Sequence, residues 1–187
     1  MPVIRQQDAP LEEGKAEGIN AELGAYTARL LSDAGGLTQF GAFLETLPPG
    51  SRSSHKHWHE REDEFILVIE GTVTLNEGDS LVEMRPGDAA TFKAGVAVGH
   101  RLENRSDAPA IYLVVGTRSP DDIVHYTEKD LLLTKLNFEK RLTTKAGNPS
   151  NGDVHALIDA GNLGKSEGGK VTFPYEEVDV DFRLRAA

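Results

Sequence analysis

Apolar and polar residues alternate in short runs between Tyr26 and Arg118, and turn residues separate the runs. A period of two residues is typical of a half-buried β-strand. The predicted strands span residues 27–31, 37–46, 55–59, 64–69, 72–76, 80–84, 89–93, 99–104 and 110–116. Turn chemistry lies between them, as in Pro48-Pro49-Gly50. Many short strands with few helix signals predict an all-β antiparallel sandwich or barrel.

The flanking segments lack this regular alternation. Residues 1–25 are interrupted by glycines and a proline, so we predict an N-terminal arm. Residues 26–118 would form the β-barrel, and residues 119–187 a C-terminal extension that packs on the barrel or on a partner subunit.

Three stretches make up this extension. The pattern of residues 119–135 predicts a turn and then a short apolar strand or helix. Residues 137–169 are polar and rich in glycine, with little core-forming content, and would wrap a partner or be loosely ordered. Residues 171–185 alternate well enough to predict an edge strand.

The histidines are concentrated where strands are predicted. Alternate side chains of a strand share a face, so His57 and His59 should point the same way. Glu64 has the opposite parity, and a turn through residues 60–63 removes the conflict by placing Glu64 at the start of the next strand. His100 lies on a later strand, and a small barrel could bring all four side chains together in its interior.

Three neutral imidazoles and one carboxylate form a mixed nitrogen and oxygen ligand set for a divalent transition metal. This set suits Fe(II), Mn(II), Ni(II), Zn(II) or Cu(II), and the absence of sulfur disfavours Cu(I). An octahedral ion would keep two positions for water, dioxygen or a bidentate substrate. The alternative is a group of surface or core histidines that bind no metal.

Two segments resemble the paired motifs of the cupin superfamily. The first runs from Gly50 through His57, His59 and Glu64 to Gly71. The second reads Gly87-Asp-Ala-Ala-Thr-Phe-Lys-Ala-Gly-Val-Ala-Val-Gly-His-Arg-Leu-Glu-Asn104. The resemblance covers residues 37–118. Within the superfamily, this stretch is similar to single-domain bacterial cupins.

That resemblance implies a double-stranded β-helix barrel, which is often dimeric, with one metal ion held by His57, His59, Glu64 and His100. Two features depart from the family pattern in the second motif. Lys93 stands where the family usually has proline, and four residues rather than two separate Gly95 from His100. In the first motif, one additional residue separates Gly50 from His57. None of these departures removes a ligand.

His55 is a candidate catalytic residue, since it shares the face of His57 and could support a ligand or act as a general acid or base. The alternative is a solvated histidine at the start of its strand. Trp58 is expected to pack outside the barrel or at a dimer interface. Glu60, Glu62 and Asp63 are expected to form a solvated turn, with the alternative that one of them orients a ligand histidine. His125 and His155 are expected to be ordinary surface histidines.

Composition limits the possible partners. The net charge of −10 and the absence of clustered Lys and Arg argue against nucleic-acid binding. The chain has no cysteine, begins with a polar segment that lacks a signal-peptide core, and has no apolar run of membrane-spanning length. We therefore expect a cytoplasmic protein that does not bind membranes, and the resemblance to the cupins implies a homodimer.

Two classes of function remain open from the sequence. The first is a metalloenzyme, either an oxygenase or an isomerase/lyase, that acts on a small polar or carboxylated molecule beside the metal. The second is a non-catalytic module that binds or senses a sugar or organic acid in the same barrel. The fold does not choose among these reactions.

Overall fold

A computed structural model describes residues 3–14 and 16–150 of the chain. In chain order, the strands are β1 (Leu11–Gly14), β2 (Tyr26–Leu30), β3 (Phe40–Leu47), β4 (His57–His59), β5 (Glu64–Glu70), β6 (Val73–Glu77), β7 (Ser80–Met84), β8 (Ala89–Phe92), β9 (His100–Glu103), β10 (Ala110–Thr117), β11 (Asp122–Tyr126), β12 (Leu131–Leu136) and β13 (Glu139–Thr143). The helical elements are short: one α-helical turn, α1 (Leu31–Ala34), and two 3-10 turns, at Gln6–Asp8 and Gly18–Asn20.

These strands form two antiparallel sheets, with the order β1-β2-β3-β10-β5-β8 in the first and β13-β12-β11-β4-β9-β6-β7 in the second. A hydrophobic core drawn from both sheets fills the space between them. The predicted all-β fold is confirmed as the double-stranded β-helix, or jelly roll. The largest fully buried apolar side chains of this core are Tyr112, Leu47, Leu102, Val68 and Val73.

The alternation in the sequence matches the burial of side chains in the paired central strands. In β3 and β10, nearly every second residue is buried, and the two strands pair along their whole length, with Phe43 opposite Val114. All nine strands predicted between residues 27 and 116 are present, with ends that differ by a few residues. The alternation therefore reports which face of each strand packs into the core.

Both flanking segments contribute strands to these sheets. β1 lies within the predicted arm and pairs with β2, while β11 lies within the predicted extension and pairs with β4. β11, β12 and β13 bury a second, smaller cluster that consists of Val124, Tyr126, Leu131, Leu133 and Leu142.

The sequence-based view of residues 137–169 is wrong for its beginning, because β13 is a regular strand that buries Leu142. The edge strand predicted at residues 171–185 lies outside the described residues. The division of the chain into residues 1–25, 26–118 and 119–187 stays a prediction.

The turn at residues 60–63 decides where the predicted ligands meet. β4 belongs to the second sheet and β5 to the first, so this turn carries the chain from one sheet to the other. As predicted, Glu64 begins the strand that follows the turn.

Within the described ranges, no helix is long and apolar enough to span a membrane.

Candidate metal centre

His57 and His59 lie on β4 with the same orientation, and both are buried. His100, the first residue of β9, pairs directly with His57. Directly opposite residues of an antiparallel pair place their side chains on the same face. Glu64 reaches the same point from the first sheet. The four predicted ligands therefore come together inside the barrel, each at most 8 % exposed.

The Glu64 carboxylate lies at the centre of this group. Its Oε2 atom is 2.8 Å from the Nε2 atom of His100, and 3.9 Å from the Nε2 atoms of both His57 and His59. The ligand atoms of His57, His59 and Glu64 all lie within 4.8 Å of one another. Three imidazole nitrogens thus converge on one carboxylate oxygen.

Hydrogen bonds behind the two β4 histidines select their tautomers. His57 Nδ1 lies 2.8 Å from the carbonyl oxygen of His55, and His59 Nδ1 lies 2.6 Å from Asp122 Oδ2. Since a carbonyl and a carboxylate only accept hydrogen bonds, both Nδ1 atoms donate. When the ring is neutral, its Nε2 atom then carries the lone pair, and this atom faces Glu64.

Electrostatics favour the protonation states that a metal ion requires. Burial, together with the neighbouring His100 and His59, lowers the pKa of His57 to about 4. Burial alone would raise the pKa of Glu64, but the hydrogen bond from His100 and the nearby imidazoles outweigh it and lower the pKa to about 2. Near neutral pH the group therefore offers a neutral imidazole at His57 and an ionised carboxylate at Glu64.

The donor set fits a divalent transition ion. His57 Nε2 is buried and has no hydrogen-bond partner within the described part of the chain, although an orphaned buried polar atom is unfavourable. Ligands bound at about 2.1 Å from an ion in adjacent positions are separated by roughly 3–3.5 Å. The distances from Glu64 Oε2 to the Nε2 atoms of His100 and His57, 2.8 and 3.9 Å, lie just below and just above this range. A metal ion would give the converging nitrogens a common partner.

Outside the four predicted ligands, an ionic network supports His59. The sequence analysis did not single out Asp122 or Lys135, but its alternative for the turn at residues 60–63 included Glu62. Asp122 is 1 % exposed, and its Oδ1 atom accepts the Arg61 N–H at 2.8 Å. Glu62 Oε2 lies 3.8 Å from His59 Nδ1, and its Oε1 atom accepts both the Ser119 N–H and the ammonium of the buried Lys135. Asp122 and Lys135 are themselves directly opposite on β11 and β12.

Glu62 corrects one expectation from the sequence. The turn at residues 60–63 was expected to be solvated, but Glu62 is only 2 % exposed. Carboxylates at Glu62 and Asp122, with His59, also place ligand atoms within 4.8 Å of one another. Because the Lys135 ammonium already pairs with Glu62, this second group is a support for His59 rather than a separate metal site.

The surroundings of His55 contradict its interpretation as a solvated histidine at the start of a strand. Its Nε2 atom lies 3.0 Å from the carbonyl oxygen of Ile19 and 3.1 Å from Asn20 Oδ1, and its Nδ1 atom lies 3.6 Å from Glu22. At 3 % exposure it is not the solvated histidine of the alternative interpretation. Both ring nitrogens contact the N-terminal segment, and a catalytic role for His55 stays a prediction.

A cavity of about 150 Å³ opens beside His59, Glu64 and His100. Phe92 forms part of its wall and stacks on the His100 ring, with 3.5 Å between the ring centroids. Trp58, expected to pack outside the barrel or at a dimer interface, lines the cavity and stacks on the half-buried His125. The remaining lining residues are Glu62, Glu77, Thr91, Lys93, Val96 and Val98.

This jelly roll, with its converging histidines and glutamate, defines a cupin. The Cupin domain family (Cupin_2) matches residues 43–116. Together with the relative described next, this match shows that the chain belongs to the cupin superfamily.

Three solved structures show which cupins this chain is similar to. A sugar phosphate isomerase of the cupin superfamily from Silicibacter pomeroyi is 38% identical over 80% of this chain and 97% of its own, with a TM-score of 0.75. A candidate sugar phosphate isomerase from Acidithiobacillus ferrooxidans is 29% identical over 69% of this chain and 82% of its own, with a TM-score of 0.63. The polyketide cyclase RemF from Streptomyces resistomycificus is 26% identical over 63% of this chain and 79% of its own, with a TM-score of 0.50. No curated protein matches the sequence.

Proposed function

We propose that this protein is a metal-dependent isomerase that acts on a small sugar phosphate. The observation that carries the proposal is the convergence of three imidazole Nε2 atoms on the Glu64 carboxylate beside a cavity. The similarity to a sugar phosphate isomerase, at 38% identity over most of both chains, supports the substrate class. His57, His59, Glu64 and His100 would hold a single divalent ion, such as Fe, Mn, Ni or Zn.

A bound divalent ion would supply Lewis acidity to an oxygen atom of the substrate. The protein's own residues supply position and charge. Imidazoles bind a metal in their neutral form, so three of them with the Glu64 carboxylate and a divalent ion would carry a net charge of about +1. The exposed residues Lys93, Val96 and Val98 mark the side on which the cavity meets solvent. The metal-loaded ligand group and the Lys93 side chain would attract an anionic substrate, while the acidic Glu77 lies in the same lining.

The oxygenase, lyase and non-catalytic interpretations of the sequence are outcomes that experiment can separate from isomerisation. The homodimer and the cytoplasmic location stay predictions.

Metal analysis tests the binding site directly. Protein purified without a histidine tag should contain about one divalent metal ion per chain, or bind one after reconstitution. We expect His57→Ala to weaken binding by more than the roughly 10–100-fold that loss of an outer hydrogen-bond partner costs. His125→Ala serves as the control, because His125 lies outside the cluster and bonds to Glu60. A wild-type protein that binds no divalent metal contradicts the proposal.

Turnover tests the reaction. The metal-loaded protein should convert aldose phosphates to ketose phosphates, or the reverse, without consuming dioxygen. Binding can be followed separately, because Trp58 is the only tryptophan of the chain and lines the cavity. Dioxygen consumption would instead indicate an oxygenase. Saturable quenching of Trp58 by a sugar phosphate without turnover would favour the non-catalytic module.

A further inference from the structure

Glu77 is an acidic residue of the cavity that neither the metal site nor its support uses. It is the last residue of β6 and pairs directly with His100 on β9, which in turn pairs directly with His57 on β4. The three residues therefore form one row across three neighbouring strands. Because directly opposite side chains share a face, Glu77 lies on the same face of the sheet as the two histidines.

The alternation along β6 gives the same orientation independently. Val73 and Leu75 are buried in the core, and Glu77 follows Leu75 by two positions. Glu77 is only half-buried, and it lines the cavity together with Glu64 and His100. Its carboxylate is thus placed beside the candidate metal centre but within reach of a molecule in the cavity.

Two further carboxylates line this cavity, and both are already engaged. Glu64 bonds to His100 at the centre of the ligand group. Glu62 is 2 % exposed and is held by Lys135 and Ser119. The side chain of Glu77, in contrast, makes no hydrogen bond or ion pair with any residue in the described ranges 3–14 and 16–150, and its pairing with Ser80 and His100 is through the backbone. Among the three, only Glu77 is neither buried nor held by a side-chain partner.

We propose that Glu77 is the general base and acid that moves the carbon-bound proton during isomerisation. This inference rests on the proposed function, because an aldose–ketose isomerisation needs a group that carries a proton between two adjacent carbons. A side chain in this role must be within hydrogen-bond reach of the substrate. His55, whose ring nitrogens face Ile19, Asn20 and Glu22, does not line the cavity.

The transfer balances without a co-reactant. The Glu77 carboxylate takes the proton from the hydroxyl-bearing carbon next to the carbonyl. The C–H electron pair forms the carbon–carbon double bond of an enediol, and the carbonyl π pair moves onto its oxygen. Glu77 then returns the proton to the former carbonyl carbon, while the proton of the original hydroxyl moves to the other oxygen. Substrate and product contain the same atoms and electrons.

Glu77→Gln tests this role, since it keeps the shape of the side chain but cannot accept the proton. We expect kcat to fall about 10²–10⁴-fold on a panel of pentose and hexose phosphates. In deuterium oxide, the variant should also lose the exchange of the carbon-bound proton that NMR detects with the wild type. Metal content and the quenching of Trp58 by the same sugar phosphates should stay unchanged.

The matched control is Glu83→Gln, an exposed carboxylate on the neighbouring strand β7 that pairs with Arg85. This control should exchange and turn over like the wild type. Equal exchange in Glu77→Gln and the wild type would overturn the role of Glu77 and leave the isomerase proposal standing. Turnover by the wild type without exchange of the carbon-bound proton would overturn only the role of Glu77. A metal-loaded wild type that shows neither turnover nor exchange with any sugar phosphate of the panel would overturn both proposals.

Discussion

Asp122 shows how a single residue can control the candidate metal centre without being a ligand. Its carboxylate accepts the His59 Nδ1 proton at 2.6 Å in a site from which solvent is excluded. Such a carboxylate fixes the tautomer and the orientation of the ring, and it raises the basicity of the opposite nitrogen. The Arg61 N–H holds the carboxylate in place from its other side.

Replacing Asp122 by Asn should therefore weaken divalent metal binding by about 10–100-fold while the chain still folds. Titration calorimetry with Mn(II) and Zn(II) measures the metal affinity, and circular dichroism shows whether the variant is folded. Asp107→Asn is the control, because Asp107 is exposed in the loop after β9. If Asp122→Asn and Asp107→Asn have equal metal affinities, Asp122 does not support His59.

At the scale of single residues, the sequence could predict the four side chains that come together in the barrel, but not the residues that hold them in place. His57 and His59 are two positions apart on one strand, so parity alone places them on one face. Asp122 follows His59 by 63 positions, and nothing local in the sequence indicates that β11 pairs with β4. Glu77 was missed for the same reason, since its importance depends on its pairing with His100.

Among the elements, the hairpin of β11 and β12 is anchored to the site by buried charge. Asp122 on β11 contacts His59, and Lys135 on β12 pairs with Glu62. Lys135 and Glu62 are each 2 % exposed. Because removing one partner of a buried ion pair leaves an uncompensated charge in a medium of low polarity, the loss of either is costly.

We expect Lys135→Met to lower the free energy of unfolding by about 3–5 kcal/mol, the range typical of a broken buried ion pair. Adding Glu62→Gln should recover part of this loss, because Gln still accepts the Ser119 N–H but carries no charge. Urea unfolding in the presence of a chelator measures the stability without a contribution from metal. The exposed Lys145→Met provides the reference. A loss no larger than that of the reference would show that the ion pair does not hold the hairpin.

The strands that the sequence predicted and those it missed differ in their surroundings. β3 and β10 lie inside the first sheet, where one face packs on the core, so their apolar positions alternate clearly. The turn between β5 and β6 was also predictable, because it needs a glycine. Gly71 has φ +74°, and a Cβ there would lie only 2.6 Å from the Pro109 carbonyl oxygen. β13 carries mostly charged residues on its exposed side, so its sequence resembles a loop until β12 is placed beside it.

Across the whole molecule, the barrel interior holds two carboxyl groups in opposite protonation states. Glu64 is ionised within its cluster of imidazoles, as described above. Glu45 on β3 is 4 % exposed within the apolar core, where it accepts a hydrogen bond from the hydroxyl of Tyr112. Burial is the main cause that raises the pKa of Glu45 to about 8, with the negative charges of Glu12 and Glu64 acting in the same direction and the Tyr112 hydrogen bond opposing them. Position in the barrel, rather than residue type, decides the charge.

This raised pKa should make global stability depend on pH. Between about pH 4.5, the ordinary pKa of the carboxyl group, and pH 8, the folded protein binds a proton that the unfolded chain lacks. The stabilisation is therefore complete below that window and is lost as the pH rises through it, by up to about 1.4 kcal/mol per pH unit. Glu45→Gln keeps an acceptor for Tyr112 but removes the titration.

The difference in unfolding free energy between the wild type and Glu45→Gln isolates this effect, because the other titrating groups contribute equally to both proteins. We expect that difference to shift against the wild type by about 2 kcal/mol between pH 5.5 and pH 7.5. Urea unfolding with a chelator present at both pH values measures it, and Glu83→Gln, which alters an exposed carboxylate, should show no such shift. A difference that stays constant with pH would mean that Glu45 is ionised in the folded core, in which case Tyr112 and the strand backbone must offset the cost of burying its charge.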